Sequence, residues 1–571
     1  MISYKLSVPE PASHYIAVEL TIDQVSGPQL DLQLPAWRPG RYELGNFAKN
    51  IRKVQVFDAN GTALPYVKIT KDLWQIDTRN SSRVTITYSY FASEINAGSC
   101  YADDSQLYVN PVHLCMYVPQ RMQEIHELRL DIPSNYRLAT SLPRQGNVLK
   151  AASFDELADS PFMASEKLQS HTYEVGGVLF WLHFLGECRP DLEKITTDFS
   201  KFTKTQIDFW GSFPVPEYHF MFQVLPYKFY HGVEHQHSTV IAIGPGYALN
   251  KGKTYEDVLG VSSHELFHTW NVKYIRPAEM LPYDFSKENY ARTGYVYEGF
   301  TTYYGDVMLL SSGVFSVQQY FDTLEERLVK HFHSNGRLNL SVAASSWETW
   351  LDGYVPGAPY RKTSIYDEGN LVALMLDVQI MKHSGNTKGL RDVCRALYHL
   401  GREGRGYTEQ DIRRMCTDAA GADLSDFFER YVYGTIDFTG LLEETFAYLG
   451  IVWERKVSPH LCESRYGFKT IDAGNSRKVS LLAPGSPALL AGLSAGDEIL
   501  AVNGYALRGD FNEWMSYFGD ETIELSVVSA GRLKTMFLTS PSPASSFFEQ
   551  MKLTITDTYS DGFTAWLNLN K

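Results

Sequence analysis

The segment SSHELFHTWNV, residues 262–272, carries two histidines four positions apart. Its apolar neighbours predict a helix, and on a helix His264 and His268 share one face with Cβ atoms about 5–6 Å apart. Two imidazoles at that spacing reach one metal ion. Glu265 projects beside the ion, where a carboxylate serves as the base toward metal-bound water. The pattern predicts a metal site for hydrolysis.

A catalytic zinc site has three protein ligands and one open position, so a third ligand is expected on a following element. The segment YVYEGFTTYYGD, residues 295–306, offers Glu298 on an apolar, aromatic helix. A buried carboxylate there is costly unless it is paired or bound to a metal. We expect one Zn²⁺ per chain, held by the two histidines and Glu298, with cobalt or manganese left open. Thr302 and Asp306 could share the Glu298 face as hydrogen-bond partners or be ordinary surface residues.

The composition is that of a soluble globular protein. The 571 residues suggest about four domains. The hydrophobic fraction is 44% and the charged fraction 21%, which excludes a disordered, collagen-like or coiled-coil chain. A net charge of −14 argues against a nucleic-acid partner, because phosphate backbones need clustered Lys and Arg.

Location is predicted from what the sequence lacks. No apolar stretch approaches the roughly 20 residues that span a bilayer, so no membrane partner is expected. The start, MISYKLSVPE, has no secretory signal pattern. The six cysteines form no CxxC pair and are expected to be free, buried thiols. These features predict a cytoplasmic protein.

The patterns divide the chain into a multidomain α+β protein. Residues 1–180 are expected to form an antiparallel β-domain, as in 83–91, where apolar residues alternate with polar ones. Residues 181–450 turn mostly helical, with a smaller α/β part in front. Short apolar runs between turns predict a small β-domain with one or two helices over 455–545. The tail, 546–571, has strand-like alternation in LTIT and no assigned role.

HELFHTWNVKYIRP followed by YEGFTTYYGD resembles the glycyl aminopeptidase family, gluzincin-type zinc peptidases related to aminopeptidase N. LPAWRPGRYELGNFAKNI, residues 34–51, looks like the signature of its N-terminal β-domain. GSPALLAGLSAGDEILAVNG looks like the PDZ domain that many members carry. The resemblance implies a thermolysin-like α/β catalytic domain with a helical bundle over 181–450 and a PDZ-like domain over 455–545.

The resemblance also implies two further site residues. HGVEHQHS offers Glu234, which resembles the Gly-x-Glu segment that binds the substrate's free amino group in aminopeptidase N. A strand residue or part of a second metal site with His235 and His237 is the alternative reading. SIYDEGN offers Tyr366 in a Y-x-x-G motif, whose tyrosine stabilises the developing oxyanion, although Glu368 stands where the family usually has Lys.

The expected function is removal of N-terminal residues from peptides with a free N-terminus. Small residues, Gly and Ala, are the preference that the resemblance implies. Three alternatives stay open: a zinc hydrolase acting on a non-peptide bond, an endopeptidase, and a PDZ peptide-binding protein on an inactive scaffold. Around Tyr466, Gly467 and Phe468, the PDZ-like segment could hold a peptide ligand by strand addition, or it could merely pack and bind nothing.

Overall fold

The computed structural model describes residues 1–354, 357–519, 521–539, 546–555 and 559–571. The chain forms two compact units. One comprises Met1–Tyr320, Leu340–Ile436 and Thr564–Lys571, and the other comprises Phe321–Asn339 and Asp437–Phe563. No helix among the described residues is both long and apolar enough to cross a membrane.

The first part of the larger unit is built of strands. The alternation predicted for residues 83–91 is seen in the burial of that strand, in which every second side chain is buried. The elements are β1 (Ile2–Ser7), β2 (Tyr15–Asp23), β3 (Gln29–Gln33), β4 (Ile51–Asp58), β5 (Tyr66–Lys68), β6 (Leu73–Asp77), β7 (Arg83–Phe91), β8 (Tyr101–Ala102), β9 (Leu107–Val109), β10 (His126–Asp131), β11 (Arg137–Thr140), β12 (Arg144–Gln145), β13 (Val148–Ala151), helix α1 (Phe154–Ala158) and β14 (Phe162–Ser165).

These strands form three sheets. The largest has seven strands in the order β12-β13-β10-β1-β2-β7-β4. A four-stranded sheet has the order β11-β14-β9-β8, and a three-stranded sheet the order β3-β6-β5. The expectation of an antiparallel domain holds except at one place, because β1 pairs parallel with β10. A parallel pair needs a long connection, and here the chain builds strands β2 to β9 before it returns.

A five-stranded sheet follows the β-rich part in the same unit. Its strands are β15 (Gln169–Val175), β16 (Val178–Gly186), β17 (Glu217–Val224), β18 (Phe229–Glu234) and β19 (Ser238–Gly244), in the order β15-β16-β17-β19-β18. The pairs β16–β17 and β17–β19 are parallel, while β18 lies antiparallel to β19 at the edge. The boundary predicted at residue 180 falls inside β16, and the sheet already begins at Gln169.

One helix, α2 (Leu192–Trp210), lies between β16 and β17 in the chain, and the other helices follow the sheet. They are α3 (Gly252–Phe267), a π-helical segment (Tyr295–Phe300), α4 (Thr301–Ser311), α5 (Val317–His333), α6 (Val342–Asp352), α7 (Asp367–Ser384), α8 (Leu390–Arg402), α9 (Glu409–Ala420), α10 (Ser425–Phe427) and a second π-helical segment (Phe428–Val432). Local signals fix several ends: Ser316 and Gln319 exchange the hydrogen bonds of a capping box before α5. α7 stops where Gly385 adopts a left-handed conformation.

The smaller unit contains two sheets. Its elements after α5 are α11 (Thr439–Leu449), β20 (Ile451–Val457), α12 (Leu461–Ser464), β21 (Phe468–Asp472), β22 (Arg477–Leu482), α13 (Pro487–Leu490), β23 (Glu498–Val502), β24 (Tyr505–Ala506), α14 (Phe511–Tyr517), β25 (Ile523–Ser529), β26 (Arg532–Leu538), β27 (Glu549–Ile555) and the start of α15 (Asp561–Leu569).

The main sheet of this unit runs β21-β22-β23-β25-β26, with β24 paired to β23, and it encloses its own apolar core. The tail strand predicted from LTIT is β27, which pairs antiparallel with β20. The last threonine of LTIT, and residues 520 and 540–545 of the predicted PDZ-like segment, lie outside the described residues.

Candidate active site

Three predicted metal ligands come together beside α3. His264 and His268 end this helix, and Glu298 lies on the π-helical segment that precedes α4. Their ligand atoms all lie within 4.8 Å of one another. The two Nε2 atoms are 3.0 Å apart, and Glu298 Oε2 is 3.3 Å from His268 Nε2 and 3.7 Å from His264 Nε2.

These separations fit a zinc ion. Ligand atoms at 2.0–2.1 Å from a tetrahedral zinc stand about 3.3 Å apart. The donor set of two imidazoles and one carboxylate is also a catalytic zinc set that leaves one position open. Glu298 is 1% exposed, so without a cation its carboxylate would be desolvated at considerable cost.

Hydrogen bonding fixes the tautomer of His268. Its Nδ1–H donates to the Asn271 carbonyl at 2.7 Å, which leaves the Nε2 lone pair for a metal. The Asn271 amide in turn donates to the Val296 carbonyl at 2.9 Å and to Thr301 Oγ1 at 3.1 Å. Thr302 was the residue expected from the sequence to make such hydrogen bonds, but the neighbouring Thr301 makes them. The contact of Asn271 with His268 was not predicted from the sequence, although the two residues are three positions apart.

Glycines let the helices of the site approach closely. A Cβ at Gly299 would lie 2.5 Å from Gly369 Cα, so the segment bearing Glu298 and the start of α7 touch backbone to backbone. A Cβ at Gly305 would lie 3.1 Å from His264 Cα, which brings α4 against α3. The glycine of the Y-x-x-G motif is thus explained by packing against the glycine that follows Glu298.

Glu265 points into the same cleft from α3. It is 5% exposed, and its Oε2 atom accepts no hydrogen bond among the described residues. Burial and the charges of Glu234 and Glu298 raise the pKa of Glu265 well above its usual range, against the opposing effect of His268. A Cβ at Gly232 on β18 would lie 2.2 Å from Glu265 Oε1, so the glycine of the HGVE segment admits this carboxylate.

Glu234 ends β18 and is 3% exposed. It forms a second close group of ligand atoms with Glu265 and His268, all within 4.8 Å of one another. The alternative of a second metal site with His235 and His237 gains no support, because neither histidine belongs to a close group of ligand atoms among the described residues. His235 Nδ1 faces Asp159 at 3.1 Å. Gly40 abuts the Glu234 carboxylate, since a Cβ there would lie 2.4 Å from Oε2.

Two tyrosines lie near the three predicted metal ligands. Tyr366 precedes α7, and its ring centre is 6.4 Å from that of His264. Its hydroxyl lies 3.1 Å from the hydroxyl of Tyr354, a residue that the sequence analysis did not single out. Burial and the charge of Glu298 raise the pKa of Tyr366 well above its usual range, so the phenol stays protonated at neutral pH. Glu368 is buried away from solvent and accepts a hydrogen bond from Thr363 Oγ1 at 3.2 Å.

Asp159 of the β-rich part contacts two segments of the site, the one that follows α3 and the turn that follows β18. Lys273, whose side chain is 1% exposed, donates to Asp159 Oδ1 at 2.7 Å. The backbone N–H of Gln236, just after Glu234, donates to Asp159 Oδ2 at 2.8 Å. Burial raises the pKa of Asp159, but Lys273 and His235 outweigh it and hold that pKa below its usual range. Nearby, Arg276 approaches Asp155 at 3.8 Å.

Two segments of the chain match models of a known protein family. Residues 3–166 match the family model of the peptidase M61 N-terminal domain, and residues 257–372 match that of the M61 glycyl aminopeptidase. Both matches are to the M61 glycyl aminopeptidase family. The resemblance predicted from HELFH and YEGFTTYYGD is confirmed, and these matches support a metallopeptidase activity. The 34–51 signature lies within the matched N-terminal domain.

One solved structure agrees in fold over nearly the whole chain. An aminopeptidase N family protein from Idiomarina loihiensis is similar over 99% of this chain and 100% of its own, with a TM-score of 0.91 and 27% identity. An M1 zinc metallopeptidase from Deinococcus radiodurans bound to a Tyr-Ser-Ala substrate matches 76% of this chain and 94% of its own, with a TM-score of 0.48 and 14% identity. A comparison with curated protein sequences finds no match.

Proposed function

We propose that this protein is a zinc-dependent aminopeptidase that removes N-terminal residues, small ones such as Gly and Ala, from peptides. The observation that carries the proposal is the convergence of His264, His268 and Glu298 beside two buried carboxylates, Glu265 and Glu234. Such a site can hold a metal, a base and an ammonium-binding group within one cleft.

His264, His268 and Glu298 are the proposed ligands of one zinc ion. When bound, zinc would supply Lewis acidity, which polarises a carbonyl and lowers the pKa of water. Asn271 holds His268 in the tautomer that this role needs. Cobalt or manganese could occupy the same donors.

Glu265 is the proposed general base and acid. Its carboxylate takes a proton from the attacking water and returns it to the leaving amine. The pKa of Glu265, raised by burial and by neighbouring carboxylates, suits a group that must gain and lose a proton near neutral pH. Gly232 holds the backbone of β18 close to Glu265, which limits where this carboxylate can move.

Tyr366 is the proposed hydrogen-bond donor to the developing oxyanion. Its raised pKa keeps the O–H proton available. The Tyr354 hydroxyl at 3.1 Å gives Tyr366 a partner that can hold its hydroxyl in place before substrate binds. An oxyanion donor acts best when it is fixed in advance.

Glu234 is the proposed anchor of the substrate α-ammonium group. Its Oε1 atom is buried and accepts no hydrogen bond among the described residues, so it offers a charged acceptor inside the cleft. An anchored N-terminus sets which bond reaches Glu265 and so removes one residue at a time. The proposed preference for Gly and Ala is supported by the match to the glycyl aminopeptidase model alone.

The test is metal analysis of the purified protein, followed by a panel of aminoacyl-p-nitroanilides. We expect about one zinc per chain and hydrolysis of Gly and Ala substrates with a free amine. The N-acetylated forms of these substrates should not be hydrolysed. Efficient cleavage of blocked or internal bonds would contradict the aminopeptidase proposal in favour of an endopeptidase, and hydrolysis of non-peptide bonds alone would favour another hydrolase.

A second proposal concerns a PDZ-like role for residues 455–545, with a peptide as ligand. It is supported by β21, an edge strand of its sheet that directly follows Tyr466-Gly467. Against it, Phe547 of the same chain lies at this turn, since a Cβ at Gly467 would be 2.9 Å from Phe547 Cγ. Calorimetry with peptides bearing free or amidated C-termini tests it, and equal, negligible heats would contradict peptide binding.

A cytoplasmic location stays part of the proposal. All six cysteines are free and buried, as predicted. Free thiols are typical of a reducing compartment.

A further inference from the structure

A buried arginine that forms no ion pair with a described residue lies in the signature loop of the N-terminal domain. Arg38 is 4% exposed, and its hydrogen bond among the described residues runs from Nη1 to the Pro39 carbonyl at 3.4 Å. No carboxylate of the described residues forms an ion pair with its guanidinium. A buried cation without a partner is strongly unfavourable, so the rest of its hydrogen-bonding capacity is available to a ligand.

The chain makes room for this guanidinium. A Cβ at Gly98 would lie 2.2 Å from both Cζ and Nη2 of Arg38. The φ angle of Gly98 is not positive, so space and not backbone conformation explains the glycine. The lack of a side chain at Gly98 leaves the space that the Arg38 guanidinium occupies.

Arg38 lines a cavity of about 290 Å³. The other charged lining residues are Arg41, Glu43, Lys49 and Glu94. Arg41 pairs with Glu43, and Lys49 and Glu94 are exposed to solvent. Arg38 therefore supplies the buried positive charge of the cavity, and the charge of Glu234 acts on it without forming an ion pair.

The cavity and the amino-binding site share one wall, the loop 38–43. Between Arg38 and Arg41, the backbone of Gly40 abuts the Glu234 carboxylate. Arg41 stands 5.5 Å from the centre of the Tyr354 ring. Two buried opposite charges, Glu234 and Arg38, are thus held on neighbouring sides of one loop without pairing with each other.

We propose that the Arg38 cavity binds a carboxylate group of the substrate, and that Arg38 is a specificity-determining residue. This rests on the proposed function, in which Glu234 holds the α-ammonium group. The side chain of an N-terminal Asp or Glu leaves the same Cα as that ammonium, so its carboxylate stays within a few bonds of the group that Glu234 holds. A guanidinium binds a carboxylate through two parallel hydrogen bonds. The C-terminal carboxylate of a short peptide offers the same chemistry.

The test uses substrate pairs of equal shape that differ in charge. We expect kcat/KM to favour Glu- over Gln-p-nitroanilide, and Asp- over Asn-p-nitroanilide, by at least about tenfold. Arg38→Gln should bring both ratios to within about twofold of unity. Arg129→Gln, which removes an exposed arginine of the same domain, is the matched control and should keep the wild-type ratios. Because each ratio is internal to one protein, the rank of Gly and Ala does not affect it.

A second arm identifies the source of the carboxylate. Ala-Ala-Ala is compared with its C-terminal amide in the wild type and in Arg38→Gln. An Arg38-dependent preference in this arm, and not in the first, assigns the cavity to the peptide's C-terminus. Wild-type ratios at or below unity in both arms overturn the proposal, and this holds even if Arg38→Gln fails to fold.

Binding without turnover separates this proposal from the proposed function. In zinc-loaded Glu265→Gln protein, calorimetry should give Glu-Ala an affinity at least about tenfold above that of Gln-Ala. If the wild type hydrolyses neither dipeptide but this difference is present, the carboxylate site stands and the aminopeptidase proposal fails. Equal affinities in an enzyme that hydrolyses Ala substrates would overturn the carboxylate site alone.

Discussion

The metal side of the cleft and its substrate side are built by different means. His264, His268 and Glu298 come from helical segments, where a repeat of four residues and close glycine contacts set the geometry. Arg38 and Gly40 come from a loop of the β-rich part that reaches the cleft through long-range contacts. The proposed chemistry thus rests on residues that are close in sequence, whereas the proposed selection of substrate depends on contacts between two parts of one unit.

The largest effect should come from the metal side. Glu265→Gln keeps the shape of the side chain and all proposed ligands but removes the base, so we expect hydrolysis to fall by about 10⁴-fold. Zinc content, measured by elemental analysis, should stay near that of the wild type. His268→Ala should lose both zinc and activity. A Glu265→Gln enzyme that retains most of its rate would show that another group takes the proton.

A smaller loss separates the two tyrosines. Tyr366→Phe removes an oxyanion donor, and we expect kcat to fall by about 10²–10³-fold with KM little changed. Tyr354→Phe removes only the partner that orients Tyr366, so its loss of kcat should be clearly smaller. Steady-state kinetics on Ala-p-nitroanilide measures both. If the two variants exchange ranks, Tyr354 is the donor, and a loss confined to KM would make Tyr366 a binding residue.

On the substrate side, Glu234→Ala should cost about 1.5–3 kcal/mol of charge-assisted binding in kcat/KM on free-amine substrates. It should also narrow the gap between free and N-acetylated Ala substrates, because the blocked form never used this carboxylate. Measuring both substrates with each protein provides the control. An unchanged ratio between them would remove Glu234 from the amino-binding role.

The smallest effect concerns the electrostatic field of the loop. Burial, with the charges of Arg38 and Arg41, lowers the pKa of His231 from 6.5 to about 3. His231 therefore stays neutral in the folded protein, and its contribution to stability is complete above pH 6.5 and is lost as the pH falls toward 3. Arg41→Gln should raise this pKa by about half a unit, while Arg129→Gln leaves it unchanged. NMR titration of His231 measures this pKa in the wild type and in both variants. Equal pKa values in the three proteins would show that the charge of Arg41 does not affect His231.

Sequence predicted what is local. The helix spacing of the two histidines, the buried carboxylate among aromatic residues and the capping box before α5 are each contained within a few turns of chain. The alternation of buried and exposed residues in β7 was also predicted from the sequence. The domain limit expected at residue 180 lies within β16, because β15 and β16 belong to a sheet whose other strands come later in the chain.

Several contacts of the site have no signal in the sequence. Asn271 and Tyr354 carry no motif, and their roles follow only from where His268 and Tyr366 lie. The parallel pairing of β1 with β10 has no local signal either. The motif led to Tyr366 and Glu234 through resemblance, but what surrounds them, Gly40 above all, is set by the tertiary fold.

The aspartates that meet Lys273 and Arg276 bear on modularity. Asp155 and Asp159 belong to the β-rich part, and the basic residues they meet follow directly on α3, the helix that carries His264. A fragment that begins after the β-rich part, expressed alone or joined to a different N-terminal partner, would keep two basic side chains without these acidic partners. An exchange of one part would therefore have to restore this charge match.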